Sequence, residues 1–218
     1  MIISIDGPAG SGKSTVATLL AQKLGYAHFN SGALYRGLTA YAIKHNLDIQ
    51  TNVAKLAALN LTTTFVDDNQ HVYVDNIDYT EHLRDNEVSE LTPLISKFKE
   101  IRALVDACQR TFALSHNVVI EGRDIGSFVF PNAEYKFYLD CSVDVRADRR
   151  HKEELAKGNN VSYEEIKQQI IERDRFDKTK PLAPLVVPVG AVIIDSTTKT
   201  AEQVAEEMFK VIKHTSNV

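Results

Sequence analysis

Nine consecutive residues, Gly7-Pro8-Ala9-Gly10-Ser11-Gly12-Lys13-Ser14-Thr15, satisfy the spacing G-x-x-x-x-G-K-[ST] at every fixed position. Each residue type has a chemical reason. Phosphate oxygens must be met by successive backbone N–H groups, so glycine stands where a Cβ would block the approach. Lys13 supplies a cation for the β and γ phosphates of a nucleotide, and the Ser14 hydroxyl suits Mg²⁺. This stretch predicts a phosphate-bearing nucleotide held by residues 7–15 with Mg²⁺ as cofactor, and on its own it could belong to a GTPase, an ATP-driven machine or a small-molecule kinase.

The flanks must place that loop. Met1 to Ile5 is apolar and rich in β-branched residues, which predicts a strand buried on both faces. Val16, Leu19, Leu20 and Leu24 recur at helical spacing, and Gly25 follows as a helix stop. The loop therefore joins a central strand to a helix whose N-terminal dipole favours anions.

A second set of cations calls for a second anionic ligand. Arg36, Arg102, Arg123, Arg149, Arg150, Arg173 and Arg175 fall near expected strand ends or in one helical stretch. Guanidinium forks match phosphate oxygens bidentately. Any one of these on its own reads as a solvated surface charge. Arg123 differs, because it follows a buried strand and a glycine directly. The N-K-x-D signature of GTPases and an LSGGQ-like stretch are both absent.

Tyr26 to Phe29 predicts a short strand, and Ser31 the N-cap of a helix through Leu34, Leu38, Tyr41 and Ala42. A short helix is expected over 53–60, then short strands joined by turns over 61–79. Thr92-Pro93 reads as the start of one long helix to about Ser115. Its apolar stripe is Phe98, Ile101, Val105, Cys108 and Phe112, with Ser96, Lys99, Arg102 and Gln109 lying away from it. Strands follow at Val118 to Ile120 and Tyr135 to Asp140. Ser142 caps a cation-rich helix, and Ser162-Tyr163-Glu164-Glu165 is a capping box for the next. Ala191 to Ile194 reads as a last buried strand, and Thr200 caps a final helix with Val204, Met208 and Val211 inward. Alternating strands and helices with long crossovers predict an α/β fold around a parallel sheet. Ligands of such sheets sit at the strands' carboxyl ends, where the phosphate loop, Asn30-Ser31 and Gly122-Arg123-Asp124 all fall.

Composition is ordinary for a soluble globular protein. The chain has 218 residues, 44% hydrophobic and 25% charged, with a net charge of −4. That balance argues against a binder of nucleic acid polymers. Two cysteines without CxxC spacing and seven unclustered histidines predict no structural zinc. The first strand begins at Met1, so a signal peptide is not expected, and no apolar run reaches membrane-spanning length. The expectation is a cytoplasmic monomer.

Taken together, ISIDGPAGSGKST at 3–15, NSGALYR at 30–36, EGRDIGSFVFP at 121–131, RDRFDKTKPLAPL at 173–185 and IDSTT at 194–198 resemble the bacterial cytidylate kinases. These belong to the nucleoside monophosphate kinase group, and the resemblance covers essentially the whole chain. It implies a P-loop NTPase three-layer fold: a core over 1–30, 116–145 and 178–218, a monophosphate-binding region with its β insert at 31–115, and a lid at 146–177. It implies phosphoryl transfer from MgATP to CMP or dCMP. Ser31, Tyr35 and Arg36 would belong to the monophosphate site, Ser96, Arg102 and Asp124 would read cytosine, and Arg123 would hold phosphate. Arg173 and Asp177 would touch the sugar, with Lys180 nearby. Lys13, Arg123 and one of the lid arginines Arg149 or Arg173 would serve catalysis. The family commonly has arginine where Lys180 stands, which reduces a bidentate contact to a point charge. It also often has aspartate where Glu121 stands.

A kinase of a small alcohol, with Asp124 as base, is the nearest rival reading. An ATP-binding switch is the next. The β insert and the length of the 31–115 region argue against the alcohol kinase.

Overall fold

Along β1 (Ile2–Asp6), Ile3 and Ile5 alternate with Ser4 and Asp6, sending two apolar and two polar side chains to opposite faces of one strand. In the computed structural model, which describes residues 1–216, all four are completely buried. The chain continues through α1 (Lys13–Leu24), β2 (Ala27–Asn30), α2 (Ser31–Lys44), α3 (Val53–Ala57), β3 (Leu61–Val66), β4 (Asn69–Val74) and β5 (Ile77–Asp78). Then come α4 (Asn86–Ile95), α5 (Lys99–Ala113), β6 (Val118–Gly122), a π-helical turn at Ile125–Val129, β7 (Tyr135–Asp140), α6 (Val143–Ala156), α7 (Tyr163–Thr179), β8 (Val192–Asp195) and α8 (Ala201–Ser216). The central sheet has five strands in the order β2-β6-β1-β7-β8. Its parallel registers include Ile3 with Tyr135 and Phe137 with Val192. The last two residues of the expected core segment 178–218 lie outside the described residues.

Two compact units divide the chain, Met1–Tyr26 with Val119–Val218 in one and Ala27–Val118 in the other. In the first, Ile3, Ile5, Phe137, Leu139 and Ile194 of the sheet meet Val16 and Leu20 of α1 and Val204, Met208 and Ile212 of α8 in one apolar cluster. A smaller cluster, Ala147, Ile166 and Ile170, joins α6 to α7. Ser142 caps α6 through the Val145 N–H, and Ser162 and Glu165 make the expected capping box on α7.

In the second unit, β3, β4 and β5 form a small antiparallel sheet, as the β-insert reading expected. Asp67-Asp68 and Asp75-Asn76 turn the two hairpins with positive φ at both positions, a geometry short polar side chains tolerate. Because the first turn uses only two residues, β4 begins at Asn69, earlier than the polar run suggests. Phe29, Phe65 and Phe112 pack as an aromatic trio, with centroids 5.0–6.4 Å apart.

Four expectations are corrected. Asn30, not Ser31, caps α2: its side chain accepts the Ala33 N–H at 3.1 Å, and Ser31 is the first helical residue. The long helix from Thr92 is two helices. Asp85 precedes α4 in extended backbone, while Thr92 turns its hydroxyl inward to the Val88 carbonyl at 2.6 Å. Pro93 sits inside α4, where it forfeits the N–H that would reach Ser89, and the helix ends two residues later. Arg102 and Gln109 do not lie away from the packed face of α5: they are 3% and 1% exposed. Cys108 is half-buried beside them. Finally, β8 is an edge strand, with Val192 and Ile193 exposed and Ile194 alone buried, so its apolar run marks an outer strand.

Candidate active site

The phosphate loop lies between β1 and α1, as the spacing requires. A Cβ on Gly7 would fall 2.2 Å from the Leu139 carbonyl oxygen, and Gly12 caps α1 with φ 92°, a left-handed conformation. Lys13 folds into the loop: its Nζ donates to the Pro8 carbonyl at 2.6 Å and to Ser11 Oγ at 3.4 Å. Ser14 and Thr15 face outward on the first turn of α1. Pro8, Ala9, Gly10 and Ser11 complete the arch.

Two further residues brace it from elements far along the chain. Ser196, just past β8, sets its hydroxyl between the carbonyls of Ser11 at 3.1 Å and Asp140 at 3.0 Å. Arg146 on α6 donates to the Ala9 carbonyl at 3.0 Å and the Cys141 carbonyl at 3.0 Å. It also forms a bidentate pair with Asp174 of α7, at 3.0 and 2.6 Å. Arg149, one turn further on, donates to the Ser196 carbonyl at 3.1 Å, and its Nη1 lies 3.8 Å from where a Cβ on Gly12 would be.

Beside the loop, the turn after β6 and the end of α7 form one charged cluster. Arg123 Nε reaches Asp177 Oδ2 at 2.9 Å, and Arg173 Nε reaches both carboxylate oxygens of Asp177 at 3.3 Å. Burial pushes the Asp177 carboxyl upward, but the charges of Arg123 and Arg173 outweigh it and hold the group below the usual carboxylate range. Lys180, at the C-cap of α7, is buried and adds to the same field. Burial and the facing Arg123 bring the Lys13 ammonium down to about 7, against the pull of Glu121, Asp6 and Asp177. Asp124 is 7% exposed at the start of the π-helical turn.

The second unit carries the other predicted residues. Ser31, Tyr35 and Arg36 lie on the first turns of α2, and Arg36 Nη2 donates to Asn30 Oδ1 at 3.3 Å. Gln70 of β4 accepts the Asn30 N–H at 2.7 Å, which links the β insert to the start of α2. The Arg102 guanidinium lies over the Tyr35 ring, 5.9 Å from its centroid. Ser96 is the C-cap of α4, its hydroxyl on the Pro93 carbonyl at 2.9 Å.

Sequence reasoning missed the supports. Asp6, Ser196 and the Arg146–Asp174 pair hold the loop and the turn, and only Asp6 gave a local signal: a carboxylate ending a strand that is otherwise uncharged.

A phosphate loop on a parallel sheet, with buried cations at the strands' carboxyl ends, defines a P-loop phosphotransferase. Solved structures agree on the fold. The shikimate kinase from Bacteroides thetaiotaomicron superposes with a TM-score of 0.52 at 14% identity, covering 98% of each chain. That from Acinetobacter baumannii gives 0.51 at 15%, covering 98% of this chain and 93% of the other.

Sequence comparison is more specific. The family model described as cytidylate kinase matches residues 3–214. The cytidylate kinase of Alkaliphilus metalliredigens is 43% identical over 213 residues, 96% of this chain and 94% of that one. The cytidylate kinase of Clostridioides difficile is 40% identical over 210 residues, 95% and 96% of the two chains. The protein belongs to the cytidylate kinase family and is a phosphoryl-transferring enzyme.

Proposed function

We propose that the enzyme transfers the γ-phosphoryl group of ATP to CMP or dCMP, giving ADP and CDP or dCDP. The observation that carries this reading is the cluster of Lys13, Arg123 and Arg173 around the buried Asp177, in a chain of this family. A monophosphate acceptor has its second pKa near 6, so it is largely ionised at neutral pH and needs no general base. The protein's task is then to align two anions and to neutralise developing charge.

In this reading residues 7–15 hold the ATP phosphates, with Lys13 swinging from the Pro8 carbonyl onto the β and γ oxygens. Arg36 and Arg123 hold the CMP phosphate, Ser31 and Tyr35 its surroundings, Arg173 and Asp177 the sugar, and Lys180 adds charge. Ser96, Arg102 and Asp124 read cytosine: Asp124 accepts from the exocyclic amine while the other two donate. Arg149 or Arg173 bridges the transferring group. Residues 31–115 form the monophosphate-binding region and residues 146–177 a lid, which moves about Gly158 and the 178–184 loop.

The donor set also fits Mg²⁺. Among the described residues no cluster of three or more His, Cys, Asp or Glu forms a cage. The Ser14 hydroxyl is a single hard oxygen on an outward-facing turn, as suits an ion that keeps water and phosphate ligands. Ser14 would hold the ion, which would supply charge neutralisation for the phosphates. We further infer a cytoplasmic monomer whose partners are nucleotides, neither polymer nor membrane.

A coupled assay of ADP formation across the nucleoside monophosphates tests the reading. Release of ADP on adding CMP, and not in its absence, is expected. Equal turnover of AMP and CMP would refute the base assignment.

A further inference from the structure

We propose that Asp6 is a positioning residue that holds the turn bearing Arg123 and Asp124 in register with the phosphate loop. The inference deepens the functional reading above and rests on it.

Asp6 is the last residue of β1 and immediately precedes Gly7. The alternation that sends Ile3 and Ile5 into the α1–α8 cluster turns Ser4 and Asp6 to the other face of the sheet. There the Asp6 carboxylate is completely buried, and each of its oxygens is used. Oδ1 accepts the Ile125 N–H and Oδ2 the Gly126 N–H, both at 2.7 Å. These are the first two amides of the π-helical turn, which the Asp124 carbonyl closes by accepting from Phe128 at 2.9 Å and Val129 at 3.1 Å. One carboxylate thus ties the acceptor-side turn to the strand that launches the donor-side loop.

The neighbouring residues leave room for this clamp. A Cβ on Gly126 would lie 2.5 Å from Ser4 Oγ and 3.2 Å from Asp6 Oδ2, so glycine lets the turn close onto β1. Burying a charge is costly unless it is hydrogen-bonded. Burial indeed pushes the Asp6 carboxyl up to about 6, against the two amides that pull it down. Any neutral apolar residue would fill the position without that cost, but none offers two acceptors. An amide offers one acceptor and sets an N–H₂ against the second donor. Phosphoryl transfer here depends on alignment, and a displacement of about 1 Å can cost on the order of 10²-fold in rate.

The test compares Asp6→Asn with wild type and with Ser4→Ala, a buried neighbour that touches no substrate in our reading. Thermal melting first establishes that each variant is folded at the assay temperature. The expected result for Asp6→Asn is a loss in kcat/KM for CMP on the order of 10²-fold. ATP affinity, measured separately by titration, stays close to wild type, and Ser4→Ala keeps wild-type kinetics. If Asp6→Asn does not fold, Gly126→Ala presses the same clamp from the turn and is judged by the same split. Equal losses for CMP and ATP, no loss for either, or a Ser4→Ala that reproduces the defect would each overturn the positioning role. A wild-type chain that releases no ADP on adding CMP would overturn the functional reading itself, and this inference with it.

Discussion

Burial and Arg123 bring Lys13 down to about 7, so at pH 8 much of the free enzyme carries it neutral. Bound phosphates favour the ammonium, and ATP binding must therefore take up a proton between the free and bound pKa values. The groups that set the free value are Arg123, which lowers it, and Glu121, Asp6 and Asp177, which raise it. Calorimetry in buffers of different ionisation enthalpy should report close to one proton taken up per ATP at pH 8, and affinity should fall as pH rises. A binding enthalpy independent of buffer at that pH would contradict this. Arg36→Ala and Arg123→Ala should weaken CMP by about 2 kcal/mol or more and ATP far less, as competing titrations can measure. The loop, Lys13 and Arg123 were readable from spacing because each lies within a few residues of the strand end that positions it. The roles of Asp6, Arg146 and Ser196 were not, since the turn or loop that each one holds stands 119 to 185 residues away.

At the level of elements, α6 and α7 are joined by the buried Arg146–Asp174 pair, and α6 is joined to the loop through the Ala9 carbonyl. Arg146→Ala should cost about 3–5 kcal/mol in chemical denaturation, because it strands Asp174 without its partner. ATP affinity should fall with it. Ser162→Ala should cost only about 1 kcal/mol and leave kinetics unchanged, since that capping box lies at the far end of α7 from Arg173. Elements with local signals were legible: the capping box, the β insert, and the strand at Tyr135–Asp140. The α4–α5 break was not. Thr92-Pro93 carries a start signal, but Thr92 spends its hydroxyl on Val88 and the preceding turn, behind Asp85, begins the helix. The edge position of β8 also escaped the sequence, because apolar content does not say which strand lies outermost.

Across the whole molecule, the reading we propose is of an enzyme that binds two phosphorylated ligands, in which a wrong base would leave polar groups unpaired. CMP and dCMP should exceed UMP and AMP in kcat/KM. Among the described residues no helix is long and apolar enough to cross a membrane. The fold class followed from the alternation of strands and helices, and the acceptor chemistry from the motifs together, since no single arginine declares its ligand. The most direct test uses ATP labelled at the γ phosphorus, with CMP as acceptor and the products separated. The label should appear in CDP, one CDP for each ADP formed. Label found only in inorganic phosphate, or passed to shikimate or gluconate while CMP stays unlabelled, would contradict the account.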